Sequence, residues 1–272
     1  MTNLKINKVH DFWNSESCGE RYAIGENDNQ KFLSEKNNRY KIEPYIKKFA
    51  NFPNFKDMDV LEIGVGFGCD HTQIASQKPK SLTGIDLTER AINNTKIRFQ
   101  TLGLQSNLIV GNAEKLLFHD NTFDCIYSWG VLHHSPDTQK CFDEVYRVLK
   151  PGGFAKIMIY YKYSPVGWML WIKYGLLKFK PFKTLKEIYS EHLESPGTKA
   201  YTIKEAHDLT MLFSDKKIQV QLSHGDLMDG DVGARHRGLL LNLAKAIYPK
   251  ALIKIIAKIF PIGLYLLINI KK

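Results

Sequence analysis

Residues 60–70 read VLEIGVGFGCD, an apolar run that breaks into three glycines at alternate positions, Gly64, Gly66 and Gly68. No other stretch constrains the chain as tightly. A buried strand that opens into glycines and then a helix brings bare backbone close to a ligand and points N–H groups at it. A Cβ there would meet the ligand or forbid the backbone angles. The expected ligand is therefore nucleotide-shaped. A dinucleotide fold asks for G-x-G-x-x-G, yet position 69, where its third glycine would fall, is Cys69. Glu62 stands two residues before the first glycine, in an otherwise apolar strand end. A carboxylate is costly there unless it accepts hydrogen bonds or faces a cation.

The surrounding pattern sets the fold class. VLEIG (60–64), LTGID (82–86), NLIVG (107–111), FDCIYSW (123–129) and FAKIMIYY (154–161) are short apolar runs of the buried-strand type. Helical patterns separate them at 70–77, 88–102 and 138–149, and Lys150-Pro151-Gly152-Gly153 closes the last as a stop and turn. Such alternation implies a Rossmann-like, doubly wound α/β sheet covered on both faces. Before it, the chain holds polar turns and one helical pattern at 37–50. After residue 161 the alternation stops. Residues 164–182 are aromatic and basic, and 201–213 reads as a helix opened by a Thr202–Glu205 capping box. Two helical pieces broken at Pro249 span 238–259. IQVQLSH (218–224) and GLYLLINI (263–270) read as strands that pair at the sheet edge. Three parts result: an N-terminal lid and first helix (1–57), a binding core (58–161), and cap insertions with two last strands of the same sheet (162–272).

Candidate site residues fall at strand C-termini, where open α/β sheets bind ligands. Asp86 ends the second run, 20 residues beyond Gly66, where a carboxylate accepts ribose hydroxyls. Asn112 and the Ala113 N–H follow the third run and suit the edge of an adenine. Trp129, His133 and His134 follow the fourth.

VLEIGVGFG, TGIDLT, VGNAEKLLFHDNTFDCIYSWGVLHHSPD and EVYRVLKPGG, in this order, resemble the class I S-adenosylmethionine-dependent methyltransferases of small-molecule type over residues 58–161. DFWNSESCGERY (11–22) resembles an N-terminal lid of some members. The resemblance implies a seven-stranded sheet with a reversed C-terminal hairpin and a helical cap. It implies S-adenosylmethionine (SAM) as cofactor, with S-adenosylhomocysteine (SAH) as product. Glu62, Gly64, Gly66 and Gly68 would surround its methionine part, Asp86 its ribose, and Leu87, Asn112 and Ala113 its adenine. Trp129 would join them, as would Tyr22 and Arg39 from the lid. Asn112 stands where many relatives carry Asp, and it keeps an acceptor oxygen.

Methyl transfer from a sulfonium needs alignment and exclusion of water more than proton chemistry. A base is required only for an acceptor that starts protonated. His133 is the candidate, with His134 behind it. Arg235, His236 and Arg237 form a candidate clamp for an anionic group of the acceptor. No N/D-P-P-Y/F tetrapeptide follows the fourth strand, where SWGV stands, and this disfavours DNA.

Charge and composition refine the partners. Residues 1–160 carry 20 Lys/Arg against 19 Asp/Glu, and residues 161–272 carry 18 against 9. Nearly all of the formal excess of +10, namely +9, thus sits in the C-terminal part. That half could bind RNA phosphates, though no RNA-recognition module accompanies it. WMLWIKYGLLKFK and LIKIIAKIF combine large apolar residues with lysine, the composition of a helix lying in a membrane interface. Four single cysteines and no metal-ligand set fit reduced thiols in a cytoplasmic protein, and MTNLKINKVHDFW lacks the apolar core of a signal peptide. The expected function is methyl transfer to a small organic acceptor. A lipid- or quinone-like acceptor at the membrane surface, a SAM-binding accessory protein without turnover, and group transfer from an altered cofactor are the rivals.

Overall fold

The computed structural model describes residues 2–229 and 248–272. Seven strands form one sheet: β1 (Asp59–Ile63), β2 (Ser81–Asp86), β3 (Asn107–Val110), β4 (Phe123–Trp129), β5 (Leu149–Tyr160), β6 (Asp215–Gln221) and β7 (Tyr265–Lys271). Their order is β3-β2-β1-β4-β5-β7-β6. The first five run parallel, and β7 is inserted antiparallel between β5 and β6. The parallel core and the reversed hairpin are thus both present. Strand order reverses between β1 and β4, and an open sheet takes its ligand at such a switch point.

Among the described residues the helices are α1 (Thr2–Ser15), α2 (Asp28–Ile42), α3 (Tyr45–Ala50), α4 (Cys69–Ala75), α5 (Glu89–Thr101), α6 (Thr138–Val148), α7 (Pro165–Tyr174), α8 (Leu185–His192), α9 (Ile203–Leu209) and α10 (Lys250–Ile259). Successive strand residues point to opposite faces, and both faces of this sheet are buried. Leu61 and Ile63 pack with Phe142 and Val145 of α6, whereas Val60 packs with Ile74 of α4 and Phe99 of α5. Full burial of each such side chain stabilises the fold by about 1.5–3 kcal/mol. The expected capping box opens α9: Thr202 Oγ1 accepts the Glu205 N–H, and the Glu205 carboxylate accepts the Thr202 N–H.

Three elements differ from expectation. The helical pattern at 37–50 is the end of α2 and the whole of α3, separated at Glu43-Pro44 because proline cannot donate to a continuing helix. The helix α1 was not anticipated. Lys150-Pro151-Gly152-Gly153 does not form a turn between helix and strand. β5 begins at Leu149, directly after α6, and absorbs these residues in an irregular register against β4.

Candidate functional site

A cavity of about 440 Å³ opens over the C-terminal ends of the parallel strands, within the range of small-molecule and cofactor sites. Gly64 and Gly66 line it. Gly64 has φ +85°, and a Cβ there would stand 2.1 Å from Val131, so only glycine lets the loop pass beneath the β4 connection. Gly68 points elsewhere. It precedes α4 with φ +81°, its Cβ position faces Thr95 and Arg98 of α5 at 3.0 and 3.2 Å, and it does not line the cavity. Its lack of a side chain lets the first turn of α4 approach α5.

Asp86 faces the cavity from the end of β2. Its Oδ2 accepts the Gly66 N–H at 3.1 Å, and its Oδ1 accepts the Thr88 N–H and hydroxyl at 3.0 and 2.9 Å. Burial nonetheless raises its pKa above the ordinary value, so further donors from a ligand would be welcome there. Leu87, Asn112 and Ala113 line the same end. Asn112 Oδ1 already accepts the Glu114 N–H at 2.9 Å, so an adenine amine would have to share that oxygen.

Glu62 is buried below the loop and meets His71 of α4, Oε2 to Nδ1 at 2.8 Å. The Ser106 hydroxyl donates to Leu82 O and stands 2.7 Å from His71 Nε2, so it accepts the proton on that nitrogen. His71 Nδ1 is then the acceptor and Glu62 the donor, a neutral pair. Burial raises the Glu62 pKa well above 4.5 and lowers that of His71 to about 3, which agrees with this protonation. The neighbouring carboxylate behaves in the opposite way. Asp70 receives Arg39 through Nε and Nη2 at 3.1 and 2.6 Å, with Tyr40 and Tyr127 hydroxyls at 2.8 and 2.9 Å. Burial works to raise its pKa, and these donors outweigh it. Arg39 is thereby brought to the cavity wall, and Tyr22 joins it with its hydroxyl accepting from Arg21 at 2.7 Å.

The other half of the cavity lies over β4, β5 and β7. Trp129 belongs here, stacked on Tyr45 with ring centroids 6.1 Å apart and meeting Tyr265 edge-on at 5.7 Å. Tyr160 and Tyr265 are cross-strand partners, stacked at 6.0 Å. The two histidines stand in the reverse of the expected order. His134 lines the cavity, with Nδ1 2.8 Å from Ser195 Oγ and 3.1 Å from Thr198 Oγ1, and Nε2 3.3 Å from Glu194 Oε2. His133 lies behind it, fully buried against the Tyr160 ring at 3.9 Å, and neither ring nitrogen has a hydrogen-bond partner among the described residues. Burial lowers its pKa well below the ordinary value, with His134 adding to the effect, so His133 is neutral. Arg235, His236 and Arg237 lie outside the described residues.

Several contributors escaped sequence reasoning. Glu43, Tyr160, Glu194 and Tyr265 line the cavity but come from four distant segments with no shared motif. Trp13 of α1 meets the His134 ring edge-on at 5.2 Å. The signal that could have found Tyr160 and Tyr265 is their position at the cavity edge of two neighbouring strands.

Residues 61–157 match the family model described as a methyltransferase domain. Among curated proteins, the chain is 35% identical to phosphoethanolamine N-methyltransferase 2 of Caenorhabditis elegans over 121 residues, 43% of this chain and 26% of that protein. It is 35% identical to 24-methylenesterol C-methyltransferase 3 of Arabidopsis thaliana over 95 residues, 34% and 26% of the respective chains. The chain thus spans about a quarter of the length of these relatives. A structure of a putative methyltransferase in complex with its Trm112 activator from Haloferax volcanii aligns over 96% of both chains at TM-score 0.58 and 14% identity. The [4+2]-cyclase SpnF aligns over 100% of this chain and 94% of its own at TM-score 0.53 and 15% identity. At such identities the structural likeness carries the fold alone.

Proposed function

We propose that this chain, whose residues 61–157 form a methyltransferase domain of the class I fold, transfers a methyl group from SAM to a small organic acceptor. The observation that carries this reading is the pairing of the Gly64–Gly66 cradle with the Asp86 carboxylate at one end of a cavity of ligand size. Bound there, SAM supplies a methyl carbon on a sulfonium, already furnished with its leaving group.

The remaining work falls to the chain. Asp86 accepts the ribose hydroxyls, Leu87 covers the adenine, and Asn112 with the Ala113 N–H borders its edge. Glu62 is held neutral by its burial, so it meets the ligand as a hydrogen-bonding group without repelling its carboxylate. Arg39, fixed by Asp70, and Tyr22 close the lid side. α1 and the 15–22 strap exclude water: the Cys18 carbonyl accepts the Phe67 N–H at 3.3 Å, and Glu20 takes Arg90 in two hydrogen bonds of 2.9 and 2.7 Å. Exclusion of water matters because alignment in a dry site is most of what such a displacement requires. His134, rather than His133, is positioned to touch the acceptor. The test is incubation with methyl-labelled SAM and a metabolite extract: a product carrying one labelled methyl supports the reading, and SAM binding without any labelled product favours an accessory protein.

A second reading concerns where the acceptor comes from, and one observation favours it. Leu177, Phe179 and Phe182 are 67, 95 and 97% exposed, interleaved with exposed Lys178 and Lys180. α10 buries none of its residues, and its Leu252, Ile255 and Ile259 face solvent beside Lys254 and Lys258. Apolar side chains mixed with lysine suit the headgroup region of an anionic bilayer. Val166 and Leu170 of α7 line the cavity while Trp168 and Ile172 of the same helix are exposed. A lipid- or quinone-like acceptor could therefore pass from an interface to the cavity along one helix. Among the described residues no helix is long and apolar enough to cross a membrane.

A further inference from the structure

The chain carries a formal charge of +10, yet its cavity is acidic. Among the described lining residues there are seven carboxylates, two arginines and no lysine. Three of the seven are already answered: Glu35 by Arg98, Asp70 by Arg39 and Glu62 by His71. Asp86 belongs to the ribose end, and Glu16 is exposed just after α1. Glu43 and Glu194 remain, and both stand with the aromatic rings over β4, β5 and β7.

These two carboxylates consume the donors around them. Tyr160 donates its hydroxyl to Glu194 at 2.7 Å, and Tyr265 donates to Glu43 at 2.6 Å, with Tyr45 directed at the same Glu43 oxygen at 3.3 Å. Arg39 Nη1 stands 3.7 Å from Glu43, its other nitrogens committed to Asp70, and His224 Nδ1 stands 3.9 Å from Glu43. No tyrosine of this group has a hydroxyl proton left to offer a ligand. Beside these acceptor oxygens, the half-cavity is lined by the aromatic rings of Trp129, Tyr160 and Tyr265. Such a surface repels a carboxylate or phosphate and attracts a desolvated cation. A neutral alcohol would find acceptors only.

We infer that the acceptor is an organic amine, held as its ammonium ion against Trp129, Tyr160 and Tyr265 between Glu43 and Glu194, and methylated on nitrogen. This rests on the methyl-transfer reading and narrows its acceptor class. The ammonium first gives one proton to the Glu194 carboxylate, which His134 Nε2 faces at 3.3 Å. The freed nitrogen lone pair then forms the N–CH3 bond as the C–S bond breaks, with its electron pair remaining on sulfur. Positive charge leaves sulfur and reappears on nitrogen. It stays within the aromatic and carboxylate wall throughout, so the wall stabilises the cation before and after transfer.

The test pairs amines with the alcohol, thiol and carboxylic acid of the same carbon skeleton, using labelled SAM, and titrates tetramethylammonium and its neutral isostere neopentane-type alcohol into SAH-saturated protein. The expected result is turnover of amines at least tenfold above the matched alcohols and thiols, with none of the acids. Tetramethylammonium should bind at least tenfold more tightly than the neutral isostere. Glu194→Gln should raise KM for the amine about tenfold while leaving SAH affinity unchanged. Tyr160→Phe, which keeps the ring, should preserve tetramethylammonium binding if Glu194→Gln proves unstable. Preference for an alcohol, thiol or acid, or equal binding of cation and neutral isostere, overturns the inference while SAH binding leaves the methyl-transfer reading standing. Failure to bind SAH defeats that reading itself.

Discussion

Arg98 and Glu35 form an ion pair with N–O distance 2.9 Å, each side chain 1% exposed, that joins α5 to α2 beneath the glycine loop. Arg98 also donates to the Phe67 carbonyl at 3.1 Å and to the Phe32 carbonyl at 3.3 Å. The pair therefore fixes the loop that borders the cavity as well as the packing of the N-terminal helices. Removing one partner leaves a buried charge uncompensated, a cost of about 3–5 kcal/mol. Glu35→Gln should lower Tm by several degrees, at about 2–4 °C per kcal/mol for a chain of this size. The measurement is thermal unfolding of both proteins at pH 7. A Tm unchanged within error would mean that the pair is not what holds the loop.

The Glu62–His71 pair predicts a stability profile in pH. Folded, the pair holds one proton in total, because burial raises Glu62 well above 4.5 and depresses His71 to about 3. Unfolded, it holds two protons below 4.5, one between 4.5 and 6.5, and none above 6.5. Its contribution is therefore fully present between those two values. It declines on acidification below 4.5, where the unfolded state binds more protons, and on alkalinisation above 6.5, where the folded state does. Glu62→Gln keeps a donor toward His71 without a proton to lose, so it should flatten the alkaline limb. Urea unfolding of both proteins at pH 5.5 and pH 8.5 checks this, and an equal loss of stability in the variant would refute it.

The parts of this architecture that the sequence disclosed are those written in contiguous residues. β1 to β5 are apolar runs because both faces of a parallel sheet are covered, and the glycine spacing and Asp86 sit directly at their ends. α2 was legible only at its C-terminal end, since its inward face includes Glu35 and Arg39. Their partners Arg98 and Asp70 lie 63 and 31 residues away, so no hydrophobic period marks the helix. The same holds for the aromatic and carboxylate half of the cavity. Tyr160 meets Tyr265 only because β7 is inserted beside β5, and Glu43 reaches them from a break between two helices. The order of His133 and His134 depended on a three-residue 3-10 turn, Leu132–His134, whose rotation has no sequence marker.

His133 offers a direct check on that order. Its buried ring carries two nitrogens without hydrogen-bond partners among the described residues, and exchanging such a group for an apolar one of similar shape is close to neutral or stabilising. His133→Phe should keep or raise Tm and leave the pH dependence of turnover where it was. His134→Gln should alter that pH dependence. A collapse of activity with intact folding in His133→Phe would restore His133 as the acceptor-side base.

The exposed segment 176–182 makes the membrane reading measurable. Burying one phenylalanine in an apolar phase gains about 1.5–3 kcal/mol, so Phe179→Ser with Phe182→Ser should reduce partitioning to anionic vesicles at least tenfold. Binding should weaken further as salt rises. Co-sedimentation with phosphatidylserine-containing and neutral vesicles decides it. Equal recovery of wild type and variant in the supernatant would assign the exposed aromatics to something other than a bilayer.

Asp86 holding the ribose of SAM beside the Gly64–Gly66 cradle is the contact on which the proposed function depends most. Calorimetric titration of SAH into the wild-type protein and into Asp86→Ala tests that claim most directly. Saturable one-to-one binding is expected, weakening at least tenfold in the folded variant, about 1.4 kcal/mol or more. Absence of saturable binding to the wild type, or equal affinity in the two proteins, would contradict it.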